Sequence, residues 1–346
     1  MTPPPDGGWV LGVDSGGSGL RVALGAVADH AAGDGDGDGD RVRALESVAF
    51  EEPVPTGPGG IDAEHLLARL VPAAEGLLAR AGADRLAAVA VGAAGMATLG
   101  DELRAGLPGA LRRSLGVDRL ALAADAVTAY AGALGQRPGA VVAAGTGLIA
   151  LGTDLSGWRR ADGWGHLLGD CGSGAWIGRA GLEAALRAHD GRRGGSAALL
   201  ARVEALFGPP ATLPGRLYPR TDRPAVLASF APEVARCGAG GDAVSAAILA
   251  RAAAHIADAA AAVCPPGRDE PEVALTGGLF LMGDPLLVPL RAELAERLPY
   301  ARTVAASGGS LDGALAVAAA LATDTLRLPR EPGMLETTPL EPTDRT

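Results

Sequence analysis

The sequence predicts an α/β fold of two domains built on one repeated plan. Three observations point there. WVLGVDSGGSGLRVALGAVA (residues 9–28) and AVVAAGTGLIALGTD (140–154) both read as strand, glycine turn, strand, and they lie about a domain's length apart. Between them, short apolar runs alternate with stretches of helical spacing, the pattern of parallel strands buried under helices. At 346 residues the chain is long enough for two cores of ordinary size.

Each element has its own signal. In the first hairpin, Gly16, Gly17 and Ser18 can offer successive backbone N–H groups to a phosphate, and Asp14 at its mouth can hold a hydrated magnesium ion. GDGDGDGD at 33–40 places acids at alternate positions, but the bidentate acid of an EF-hand loop is missing: twelve from Asp34 is Leu45, and from Asp36 is Ser47. The expectation is a solvated hairpin tip. RVRALESVAF resumes a strand, and the next helix, near Asp62, carries Leu66, Leu67, Leu70, Val71, Leu77 and Leu78 along one side. LAAVAVGAAGMA, a helix at about 101–115 and DRLALAADAVTAYAGAL continue a βαβ series that sets Asp125 at a strand's carboxyl end, where ligands of open α/β sheets gather. A helix cap is the competing reading of Asp125. After the second hairpin, whose turn is Gly145, Thr146 and Gly147, a Pro-rich connection over 205–224 leads to helices at 224–238 and 242–263, with the turn GAGG between them. EVALTGGLF reads as a buried strand ending at Gly277 and Gly278, where backbone can lie against a flat ring such as adenine. SGGSLDGALAVAAALA closes the fold with an apolar helix.

Composition removes several chemistries. All 30 basic residues are arginine and the net charge is −10. Without lysine there is no P-loop lysine, no Schiff base and no lysine general base. The acidic balance argues against nucleic acid and anionic lipid as partners. Cys171, Cys237 and Cys264 are far apart, and MTPPPDGGWV lacks the charged start and apolar run of a signal peptide, so the expectation is a soluble, cytoplasmic protein. No uninterrupted apolar run is expected to cross a bilayer.

The densest signal is DGWGHLLGDCGSGAWIG, residues 162–178, with six glycines among two tryptophans, one histidine and two carboxylates. Such backbone turns sharply or approaches a ligand closely. From Ser173 the spacing becomes helical, with Ile177, Leu182, Ala185 and Leu186 on the apolar face. Ser173 as N-cap would aim free N–H groups back into the loop, which Gly163, Trp164, Gly165 and Asp170 would line.

With these parts in order, the chain resembles the acetate and sugar kinase, Hsc70 and actin superfamily, and within it the BadF/BadG/BcrA/BcrD ATPase-like family that includes N-acetylglucosamine kinases. GVDSGGSG looks like the first phosphate motif, AADAVTA like the segment of the catalytic Asp, AAGTGLIALG like the second phosphate motif and LTGGLF like the adenosine motif; DGWGHLLGDCGSGAWIG is the most specific match. The resemblance implies a duplicated RNase-H-like, actin-like ATPase fold with an interdomain nucleotide cleft. Its first domain would be residues 1–137, completed by the C-terminal helix near 311–323; the second would be 138–310, followed by a tail over 324–346. It also implies an ATP-dependent kinase that phosphorylates the 6-hydroxyl of an amino sugar such as N-acetylglucosamine or glucosamine, with ATP and Mg2+, and a homodimer. Asp125 would be both the base and a sugar contact. Ser18 with Gly16 and Gly17, and Thr146 with Gly145 and Gly147, would hold the phosphates; Gly238, Gly277 and Gly278 would meet the nucleotide, and Gly163, Trp164, Gly165 and Asp170 the sugar. The chain departs from the pattern at Cys171, where Glu is usual, and at Leu148, where a small polar residue is usual; it also has no asparagine, and the corresponding segment reads VPTGPGGIDAEH. Two other readings are an ATPase activator of a partner enzyme, which would need cluster-forming cysteines that this spacing does not supply, and a nucleotide-binding regulator. No helix-turn-helix is seen before Trp9 to support the latter.

Overall fold

A computed structural model describes residues 8–16, 19–27, 42–52, 54–57, 60–96, 100–266 and 270–339. Gly17, Ser18 and the GDGDGDGD run lie outside them. The chain divides into two compact units: unit 1 takes residues up to Pro138, Thr153–Trp158 and the chain from Ala305, while unit 2 takes Gly139–Gly152 and Arg159–Val304.

Unit 1 holds a six-stranded sheet. Its strands are β1 (Trp9–Gly16), β2 (Gly19–Ala26), β3 (Arg43–Phe50), β6 (Leu86–Ala93), β7 (Arg119–Ala124) and β13 (Leu335–Pro339), in the order β13-β7-β6-β1-β2-β3. A two-stranded ribbon of β4 (Thr56–Gly57) and β5 (Gly60–Ile61) stands apart. β1, β2 and β3 form an antiparallel meander, β1, β6 and β7 run parallel, and β13 returns antiparallel along β7. The helices are α1 (Ala63–Ala81), α2 (Asp101–Leu115), α3 (Asp125–Leu134) and, from the C-terminal segment, α11 (Ser310–Ala322). Asp62 caps α1 by accepting from Glu64 N and His65 N, and Leu66, Leu70, Ala73, Ala74 and Leu77 form its buried stripe.

α3 and α11 lie close together on one face of the sheet. Cβ atoms on Gly132 of α3 or Gly313 of α11 would collide with backbone of the opposite helix, and a Cβ on Gly12 of β1 would reach Leu315. The alanine-rich composition of both helices follows, because larger side chains would hold the backbones apart.

Unit 2 holds a five-stranded sheet in the order β10-β9-β8-β11-β12, with β8 (Gly139–Ala144), β9 (Leu148–Thr153), β10 (Trp158–Asp162), β11 (Glu272–Thr276) and β12 (Arg302–Ala305). β8 and β11 are parallel. Its helices are α4 (Gly174–His189), α5 (Ala197–Phe207), α6 (Leu213–Leu217), α7 (Arg223–Ser229), α8 (Ala231–Ala239), α9 (Ala243–Val263) and α10 (Asp284–Arg297). The core joins sheet residues such as Val142 and Val273 to Ile177, Phe230, Val234, Ile256 and Leu290 from the helices.

Two details differ from expectation. The Pro-rich stretch forms a 3-10 turn (Pro210–Thr212) and α6. The helix expected at 224–238 is broken at Phe230, which is fully buried beneath Gly181 and has Pro232 two residues on. α9 is long and apolar enough to cross a bilayer by length and composition, but Arg251 and Asp258 interrupt its apolar run, as expected for Asp258, and half of its apolar window is buried within the structure.

Candidate active site

In unit 1 the register brings two carboxylates to the carboxyl end of the parallel strands. Asp14 of β1 pairs with Gly92 of β6, Gly92 pairs with Ala123 of β7, and Asp125 follows two residues later as the first residue of α3. Both acids therefore stand where β1, β6 and β7 end. Alternation puts Asp14 on the same face as Gly12, the face covered by α3 and α11. Asp125 does not cap its helix: Ala124 occupies the N-cap, and Asp125 Oδ1 accepts from Ala126 N at 2.9 Å.

Asp14 is held in an unusual electrostatic state. Its side chain is 14% exposed, and its nearest counter-charge is the Arg21 guanidinium at 3.7 Å, too long for a hydrogen bond. Burial pushes its carboxyl above the ordinary carboxylate range, and Arg21 only partly offsets this. A buried carboxylate with so little compensation suits a cation. Beside it Ser15 is buried, and its Oγ has no hydrogen-bond partner among the described residues.

Unit 2 treats its carboxylates differently. Asp162 (φ 60°) and Asp170 (φ 52°) both adopt the left-handed conformation, which Asp tolerates better than most residues. Asp162 Oδ1 accepts from Asp170 N at 2.6 Å and Oδ2 from Cys171 N at 2.9 Å. Asp170, 8% exposed, accepts from Gly165 N at 3.0 Å and from the Leu148 N–H. Burial raises its pKa, with the Asp162 charge adding to the rise and these donors opposing it. The Cys171 thiol is also pushed up, by burial and then by Asp162 and Asp170, so it stays protonated at neutral pH and is a poor nucleophile.

The turn between β8 and β9 is bolted to the same assembly. A Cβ on Gly147 would lie 2.7 Å from Asp170 Oδ2, so only glycine lets the turn settle on that carboxylate. Gly145 N donates to Gly147 O at 2.9 Å. Ser173 caps α4 as expected, through Trp176 N. The helix start is not open to a ligand, however, because Gly174 N donates to Gly145 O at 2.9 Å and Ala175 N to Thr146 O at 3.0 Å. The expected free N–H groups are thus occupied in clamping the turn.

The remaining sequence-predicted residues fall in distinct places. Gly16 and Gly145 face open space. Trp164 is 64% exposed, with Gly163 and Gly165 on either side at positive φ. Gly277 (φ 104°) lacks room for a Cβ because of Ala144 on β8, so close strand packing requires this glycine, whereas Gly278 is open. Gly238 lies in the last turn of α8, against Leu249 of α9. Sequence reasoning named neither Asp162 nor Arg160 as site residues, although the loop depends on both. Their signal was an Asp directly before Gly163, and an Arg at the end of a strand entering a glycine loop.

The sequence pattern of the BadF/BadG/BcrA/BcrD ATPase family matches residues 11–299. Over 82 residues the chain is 43% identical to an N-acetylmuramic acid/N-acetylglucosamine kinase of Clostridium acetobutylicum; that match covers 23% of this chain and only 27% of the relative's length. Among solved structures, a provisionally named N-acetylglucosamine kinase from Chromobacterium violaceum is 29% identical, with a TM-score of 0.65 over 89% of this chain and 97% of that one. A ROK family glucokinase from Streptomyces griseus, solved with glucose and AMPPNP, shares the fold at 22% identity and a TM-score of 0.51, over 90% and 99% of the two chains. The framework of two mixed sheets is the α/β, actin-like ATPase fold of sugar kinases. With the family pattern running through both units, the chain belongs to the BadF/BadG/BcrA/BcrD ATPase family.

Proposed function

We propose that this protein is an ATP-dependent sugar kinase that phosphorylates the 6-hydroxyl of an amino sugar, N-acetylglucosamine or glucosamine. The observation that carries the reading is the pair Asp14 and Asp125 at the carboxyl end of the parallel strands of unit 1, in a chain of an ATPase family with amino-sugar kinases among its similar proteins. Phosphoryl transfer needs positioning and charge neutralisation more than covalent help, so a chain without lysine can perform it.

Asp125 accepts the proton of the attacking hydroxyl, a task within reach of a positioned carboxylate. Asp14 fits a magnesium ion, since its buried carboxylate meets Arg21 only at 3.7 Å among the described residues, beyond hydrogen-bond range, and magnesium asks one or two carboxylates of the protein while phosphates and water fill its other positions. Bound there, the ion would neutralise charge on the transferring phosphate. Gly16, Gly17 and Ser18 in unit 1, and Gly145, Thr146 and Gly147 in unit 2, receive the phosphates; Gly238, Gly277 and Gly278 serve the rest of the nucleotide. Gly163, Trp164, Gly165 and Asp170 receive the sugar. The fixed backbone of the 145–147 turn supports this role, because a cradle that needs no reordering on binding loses less affinity to entropy.

The test is ATP turnover against N-acetylglucosamine, glucosamine, N-acetylmannosamine, N-acetylmuramic acid and glucose, with nuclear magnetic resonance of the product to locate the phosphate. Amino-sugar-dependent turnover yielding the 6-phosphate is the expected result. ATP consumption no higher with any sugar than without would refute it.

A further inference from the structure

Trp164 combines high exposure with tight support. A large aromatic ring 64% in water is usually mobile unless neighbours restrain it. Here Arg160, half-buried in β10, places its guanidinium carbon 4.7 Å from the centroid of the Trp164 ring, in cation–π range. The same guanidinium donates from Nε to the Asp162 carbonyl at 3.1 Å and from Nη2 to the Gly163 carbonyl at 2.6 Å. One planar group thus grips two successive carbonyls and the ring that follows them, which a lysine ammonium cannot do.

Neighbouring atoms close the alternatives. Gly163 sits at φ 75°, where a Cβ would come within 2.9 Å of Ile149 Cδ1 and 3.2 Å of Arg160 Nη2. A Cβ on Gly169 would lie 2.9 Å from the Trp164 Cβ. With Arg160 on one face of the ring, the exposed area remains for a ligand, and a pyranose offers an apolar C–H face to such a surface. Holding the ring before the ligand arrives lowers the ordering cost of binding.

We propose that Arg160 is a positioning residue: it fixes the plane of Trp164 and so sets affinity for the acceptor sugar without touching it. This rests on the sugar-kinase reading above. Its signature is selective, because the nucleotide turn is held by Gly174, Ala175 and Asp170 instead.

The experiment uses Arg160→Met, which keeps length and packing but loses the fork, and Arg160→Lys, which keeps the charge. Two quantities are read: the KM for acceptor and for ATP, and the Trp164 emission, isolated by difference against Trp164→Phe in each background. Both variants should raise the acceptor KM about tenfold, the equivalent of roughly 1.4 kcal/mol, while the ATP KM moves less than twofold and the Trp164 emission shifts to the red. An acceptor KM within twofold of wild type, equal rises in both constants, or unchanged emission would overturn the proposal. Should Arg160→Met fail to fold, Arg160→Lys carries the same test, since lysine lacks the rigid planar fork that joins the carbonyls to the ring. Wild-type protein without sugar turnover would count against the kinase reading alone, and the emission difference would still decide whether Arg160 holds the ring.

Discussion

The two units share a strand, glycine turn, strand device and surround the acidic groups next to it with different partners. In unit 1, Asp14 is buried with one guanidinium 3.7 Å away, and its pKa is raised. In unit 2, Asp162 and Asp170 accept backbone N–H groups from Leu148, Gly165, Asp170 and Cys171, and the adjoining turn is clamped by the first N–H groups of α4. Asp14 thus meets a guanidinium, whereas the unit 2 carboxylates tie backbone segments together. Burial raises the pKa of Asp170 as it does that of Asp14, so what separates the two places is the set of donors around the carboxylates.

The largest effect expected from this contrast is on the chemistry of unit 1. Asp125→Ala should lower kcat by about 10³-fold, with affinity for a nonhydrolysable ATP analogue preserved by calorimetry; retained turnover would remove Asp125 from the role of base. Next comes the scaffold of unit 2. Asp162→Ala strands the N–H groups of Asp170 and Cys171 and forces alanine into a left-handed backbone, so thermal melts should show a loss of about 2–3 kcal/mol. Asp162→Asn, which tolerates that backbone and can still accept one bond, should lose less.

Asp14→Asn should move stability the other way. Because the folded-state pKa of Asp14 lies above its ordinary value, the folded protein binds a proton more readily, and stability falls as pH rises through the window between the two values. Above the raised value that cost is fully present, so removing the charge should there raise Tm by a few degrees, even as turnover is lost. Melts at descending pH should show the gain shrinking once wild-type Asp14 is itself protonated; a gain that persists at low pH would point to packing instead. Smallest is Ser15→Ala, which deletes a buried hydroxyl without a partner among the described residues and should leave stability unchanged or raise it by up to about 1 kcal/mol. A clear loss would mean that the hydroxyl is engaged.

Much of the fold was legible because its signals are local. The period-two run LALAA followed by the helical spacing of DAVTAYAGAL is enough to put Asp125 at a strand end, and Asp62 and Ser173 announce their helices one residue ahead. The clamp on the second turn was not legible, because Gly174 and Ala175 meet carbonyls 29 residues earlier in the chain, and Asp170 meets Leu148 across 22 residues. β13 was equally hidden: LETTP has no core pattern of its own, and it is a strand because the edge of β7 offers it hydrogen-bond partners from Arg119 to Ala123.

Composition and spacing were sufficient for the α/β class, the two glycine turns and the types of residue available for chemistry, since each depends on neighbours within a few positions. Which carboxylates are left with charge to use, and which are absorbed by backbone N–H groups, depends on groups distant in sequence but adjacent in space. The folded packing of β1 against β6, and of the 162–171 loop under the 145–147 turn, assigned those partners. The physical reason is that desolvation and hydrogen bonding act over a few ångströms, a range fixed by contact between segments and not by the order of residues along the chain.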